Sequence, residues 1–137
     1  MNETGIVAKW SSWAPQLRSV LRIVTAAYFI TSGTTKLFAF PSGMPPDGGT
    51  AAVGSQMWIG GLLELVGGVL LLIGLFTRPT AFVMSGMMAV AYFQFHAPGS
   101  FWPTINQGAG AITCCFIWLY ISAAGPGPWS VDARRSR

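Results

Sequence analysis

Two side chains of opposite charge lie in otherwise apolar runs. Glu64 interrupts WIGGLLELVGGVLLLIGLF, residues 58–76, and Lys36 lies near the end of an apolar run that begins near residue 17. A carboxylate in hydrocarbon must be neutral, paired or wet, and inserting one costs about 2.5–3.5 kcal/mol. Glu64 is therefore read as a proton acceptor, as a ligand to a polar substrate group, or as half of an ion pair that fixes helix packing. Lys36 is its natural partner, although so long a side chain could also snorkel to the interface. Tyr28, Ser32 and Lys36 recur at i, i+4 and i+8, with Thr25 and Gly33 close by, so the first run carries one polar stripe. In the second run Gly60, Gly61, Gly67 and Gly68 flank Glu64 at helical offsets, which gives a face that a neighbouring helix can approach closely. Glu64 and Lys36 are the expected proton-relay pair.

His96 is the lone histidine. It follows Tyr92, Phe93, Gln94 and Phe95 at the end of a third apolar run. The bland reading is an interfacial side chain, and the aromatics at this level read as a membrane-interface belt. The alternative is one wall of a flat-ring pocket with Tyr92, Trp102, Asn106, His96, Glu64 and Lys36 around it. A quinone head suits such a site: apolar walls, a few donors and a proton relay. Cys114 and Cys115 are adjacent in an apolar run, where a mutual disulfide is not expected, and the methionines read as packing. No CxxC, haem-attachment or zinc spacing occurs, so no metal site is expected.

These residues need elements to hold them. Over half the chain is hydrophobic and 9% is charged, against about 25% in soluble domains. The expected class is an all-α integral membrane protein, a four-transmembrane-helix antiparallel bundle. Spans are expected at about 17–40, 55–76, 80–96 and 108–124. Residues 1–16, with Trp10 and Trp13 beside Lys9, read as an interfacial N-terminal segment, and 125–137 as a cytoplasmic C-terminal tail. No signal-peptide pattern precedes the first run, which reads as an uncleaved span. Loops 41–54 and 97–107 are rich in Pro, Gly and polar residues. Lys9, Arg18, Arg22, Arg78, Arg134, Arg135 and Arg137 fall on one side of this topology and only Lys36 on the other. Both termini should then be cytoplasmic. No basic patch interleaved with aromatics suggests a nucleic-acid partner.

Four stretches resemble the DoxX family of small four-span bacterial membrane proteins: AYFITSGTTKLFAF, GGLLELVGGVLLLIGLFTRP, AYFQFHAPGSFWP and WLYISAAGPGPWSVD. Lys36, Glu64 and Arg78 fall where that family has a basic residue, a glutamate and a basic turn. Family members usually enter the last span with an Asn-Gly-Gly-Glu-like sequence. Here it reads Asn106-Gln107-Gly108-Ala109, so Gln107 replaces a glycine and Ala109 the glutamate. The resemblance implies the bacterial inner membrane and a redox theme, since the related DoxD proteins are subunits of a thiosulfate:quinone oxidoreductase. The resulting expectation is a quinone-linked redox subunit that acts with a partner membrane protein, because the chain carries no electron-carrying motif of its own. The alternative is a non-catalytic accessory subunit of a larger respiratory or photosynthetic complex. A small-solute transporter is a third reading, which would require a homo-oligomer.

Overall fold

The computed structural model describes residues 3–137, so the first two residues of the expected interfacial segment lie outside it. Among the described residues all regular structure is helical. Helix α1 spans Glu3–Ser11, α2 Ala14–Phe38, α3 Gln56–Ile73 and α4 Thr77–Ala91. A π-helical turn, Tyr92–His96, continues α4. Short α5 spans Pro103–Asn106, α6 Ala109–Ala124 and short α7 Val131–Arg135. The expected segment before residue 17 is thus largely helical. Of these helices, α3 alone has both the length and the apolarity to cross a bilayer. Helix α6 is apolar but shorter, and α2 carries Arg18, Arg22 and Lys36.

Local sequence explains most ends. Pro15 opens α2, where a missing N–H costs nothing. Ser55 caps α3, its hydroxyl accepting from the Trp58 amide at 3.2 Å, and Gly74 ends that helix at φ 70°. Helix α4 starts three residues before the expected position. Its first amides, Phe76 and Thr77, donate to the two Asp132 carboxylate oxygens at 3.0 and 2.8 Å. That cap comes from the far end of the chain.

The helices pair as two antiparallel hairpins. Helix α2 lies along α3, and α4 along α6, while α3 meets α4 less and α2 meets α6 least. Glycines set the first pairing. A Cβ on Gly33 would stand 2.7 Å from the Gly61 carbonyl oxygen and 2.8 Å from the Leu65 nitrogen. A Cβ on Gly68 would press on Ile30 and Ala26 of α2. Gly67 instead receives Met84 of α4. Between the hairpins the Phe29 and Trp118 rings meet edge to face at 5.4 Å, with Leu71, Met84 and Ile121 buried around them. Cys114 is buried in this core, and both cysteines are free.

Gly60 is the exception on the glycine face, because nothing lies within 4 Å of an added Cβ. Gly33→Ala is expected to cost about 1–3 kcal/mol by overpacking. Gly60→Ala is expected to be neutral or to gain up to about 1 kcal/mol of helix propensity. Unfolding of the two purified variants in detergent should separate them, and equal losses would contradict this packing.

At the arginine-rich end, Arg22 is fully buried. Its guanidinium donates to the Leu71 carbonyl at 2.8 Å, to Trp129 at 2.6 Å, to Leu72 at 3.5 Å, and to Pro126. Arg78 donates to the Ser122 and Ala123 carbonyls that end α6. Part-burial raises the Asp132 carboxyl, but the amides of Thr77 and Phe76, with Arg135 nearby, lower it by more, so it lies below the ordinary range. A depressed carboxyl stabilises the fold above its unfolded value, about 3.9, and that contribution is lost as pH falls through the folded value. Melting temperature should therefore drop below about pH 4. Asp132→Asn should lower it at neutral pH and flatten that drop, as melts taken across the acid range would record.

Candidate functional site

The polar stripe of α2 and the carboxylate of α3 converge. Lys36 Nζ lies 2.5 Å from Glu64 Oε2 and donates to Ser32 Oγ at 2.8 Å. The Glu64 side chain is 8% exposed and that of Lys36 19%. Gly61 makes the crossing possible, since a Cβ there would stand 2.9 Å from the Lys36 Cβ. The lysine stem passes over a glycine, and its ammonium reaches the carboxylate one turn further along α3.

This pair forms part of the wall of a cavity of about 470 Å³ between the two hairpins. Helix α2 contributes Tyr28, Phe29, Ser32 and Lys36. Helix α3 contributes Gln56, Met57, Ile59, Gly60, Leu63 and Glu64. Met87, Met88, Val90, Ala91, Phe95 and His96 come from α4 and its π-helical turn. Gln107, Gly110 and Ala111 close the fourth side. Gly60, which no neighbour contacts, opens onto this space.

The π-helical turn presents His96. In it the Ala97 amide donates to the Tyr92 carbonyl at 2.9 Å, one residue further back than an α-helix would reach. Tyr92 is buried, and its ring stacks on His96 at 6.4 Å. His96 Nδ1 lies 3.0 Å from the Asn106 carbonyl oxygen. A carbonyl only accepts, so Nδ1 carries the proton and Nε2 of the neutral ring is an acceptor. Asn106 is spent on the loop: its Nδ2 donates to the Ser100 carbonyl at 2.6 Å and to the Tyr92 hydroxyl at 3.2 Å, and its Oδ1 accepts from the Gly108 amide at 2.7 Å.

Of the residues singled out in the sequence, the structure brings Lys36, Glu64 and His96 to one cavity. Tyr92 and Asn106 stand behind His96, outside the cavity walls, and bond each other and the loop. Trp102 is exposed and apart from it. Gln56 and Gln107 were not singled out as lining residues. Gln56 donates to the Gln94 side chain across the rim between the hairpins. Gln107 has φ 61°, a left-handed conformation that glycine adopts freely. Gly108 next to it has no room for a Cβ, which would stand 2.7 Å from the Tyr92 ring.

A family model described as DoxX matches residues 17–97. The chain belongs to the DoxX family. Three curated proteins share this DoxX chain's length. An uncharacterized protein of Haemophilus influenzae is 41% identical over 88% of this chain and 91% of its own. The inner membrane protein YqjF of Escherichia coli is 29% identical over 82% and 87%. A membrane protein of Mycobacterium tuberculosis is 26% identical over 85% and 80%. No solved structure matches the chain. The DoxX match includes Lys36, Glu64 and His96, and stops before the α6 wall of the cavity.

Proposed function

We propose that this DoxX chain is a four-span protein of the bacterial inner membrane, with both termini cytoplasmic, that binds a quinone between its hairpins. The Lys36–Glu64 pair exchanges protons with the ring, and a partner redox protein supplies or removes the electrons. The observation that carries this reading is a nearly buried ion pair in the wall of a largely apolar cavity of ligand size.

The membrane reading is supported by outward apolar side chains on all four long helices, including Val24, Val66, Phe82 and Phe116, each more than half exposed. Relatives named as membrane proteins support it as well. The quinone reading is supported by the donor set. An ammonium has three N–H donors. Lys36 uses two on Glu64 and Ser32, which leaves one for a ring carbonyl. His96 Nε2 accepts, which suits the hydroxyl of the reduced ring. Tyr92 and Asn106 position His96 from behind.

The test is titration of the purified chain in lipid nanodiscs with short-tailed benzoquinone and naphthoquinone. One quinone per chain is expected. Gly60→Leu fills the cavity and should abolish binding, and Glu64→Gln should weaken it about tenfold or more. Wild-type protein that binds no quinone, or variants that bind as tightly, would sink the proposal. Ala109, where the family resemblance implies a glutamate, favours the accessory-subunit reading instead. Constant co-migration with a larger complex from gently solubilised membranes, without quinone binding by the chain alone, would select it.

A further inference from the structure

A second cavity lies at the arginine-rich end, far along the bundle from the Lys36–Glu64 pair. It measures about 700 Å³, and Arg18 of α2 and Arg78 of α4 both line it. Arg18 makes no hydrogen bond and no ion pair among the described residues, yet its Nε is shielded from solvent. A shielded guanidinium nitrogen without an acceptor costs free energy, and native structures rarely leave one so. Arg78 spends only Nη1, on the Ser122 and Ala123 carbonyls. Its Nε and Nη2 form no bond. The carboxylate in this wall, Asp132, is engaged by the amides of Phe76 and Thr77. The cavity therefore offers unspent donors from two cations and an acid whose oxygens are already occupied.

An apolar trough lies at the same end of α2. Where α1 turns into α2, Ile6, Trp10, Trp13 and Leu17 line a groove with Lys9 at its edge. Leu17 of this groove directly precedes Arg18 of the arginine cavity in α2. Guanidinium forks match the oxygens of a phosphate, and basic pockets at the cytoplasmic ends of spanning helices take lipid headgroups.

We propose that this end is a binding site for a phosphate oxyanion, that of an anionic phospholipid, held by Arg18 and Arg78 with an acyl chain in the trough. The site rests on the membrane reading above and not on the quinone reading, since neither arginine lines the quinone cavity.

Native mass spectrometry of the full chain in detergent tests it, with dioleoylphosphatidylglycerol, dioleoylphosphatidylcholine and inorganic phosphate as probes. One phosphatidylglycerol should be retained and phosphatidylcholine should not. Arg18→Gln breaks no internal bond and should fold. It should weaken retention about fivefold, the effect of one basic residue on an anionic headgroup. Arg137→Gln, in the tail beyond the cavity, should leave it unchanged. Phosphate that binds in an Arg18-dependent way without any phosphatidylglycerol retention would uphold the oxyanion site and name a soluble source. Equal retention of both lipids, undiminished retention by Arg18→Gln, or an equal loss in Arg137→Gln would overturn the proposal.

Discussion

Arg22→Met is expected to lower the stability of the purified protein by about 3–5 kcal/mol and to release its C-terminal segment. Methionine keeps much of the volume and none of the donors. Two carbonyls of the last turn of α3, Leu71 and Leu72, would lose the only side chain among the described residues that reaches them. The Pro126 and Trp129 carbonyls would lose theirs in the same step. Each carbonyl left buried without a donor costs about 1–3 kcal/mol. Arg22→Lys should recover only part of this, because a point ammonium cannot span a four-carbonyl fan as a planar fork does. The readouts are the thermal midpoint in detergent and amide exchange over residues 127–133, where the Asp132 amide otherwise donates to the Gly74 carbonyl at 2.9 Å. A midpoint and exchange rates unchanged from wild type would refute the role given to Arg22.

The second large effect concerns the ion pair. Glu64→Leu alone should cost about 3–5 kcal/mol, because it strands the Lys36 ammonium among apolar side chains. Lys36→Met should cost a similar amount by stranding the carboxylate. The double variant should return to within about 1–2 kcal/mol of wild type, since a buried ion pair contributes little over an apolar pair of like volume. Quinone binding should be lost in all three. Stability that returns without the ligand would separate packing from function. If the double variant is as unstable as the singles combined, the two charges are not coupled and the pair is not the unit described.

Lys36 and Glu64 were legible in the sequence because a charge in an apolar run needs a partner, and each had one available. The glycine face was legible for the same kind of reason: Gly61 and Gly68 lie where α2 comes closest. The start of α3 could be read at Ser55, whereas Gly74 ends the helix at Ile73, short of the expected residue 76. Arg22 was not legible, and was read only as a charge near the end of a span. Its partners are backbone carbonyls more than a hundred residues away at Pro126 and Trp129, and a carbonyl has no letter in a sequence. The start of α4 was misplaced for the same cause, since Asp132 caps it from 55 residues on. Tyr92 and Asn106, expected to line the pocket, stand behind His96 and outside the cavity walls. Asn106 lies in α5, where the Ser100 carbonyl and the Gly108 amide hold its side chain, and Tyr92 opens the π-helical turn, a turn that helical spacing alone would not reveal.

The two hairpins are joined at one end by Arg22, which bonds Leu71 of α3 and the Pro126 and Trp129 carbonyls beyond α6, and are parted around the cavity at the other. A body joined in this way moves as a pair of tongs. From Arg22 to Lys36 the arm is about 21 Å of helix, so a rotation of about 5° at the fulcrum spreads the jaws by about 2 Å. The exposed Gln56–Gln94 bond spans those jaws and would have to break on opening. Such a swing of rigid arms would open the cavity from the side with no helix having to unwind.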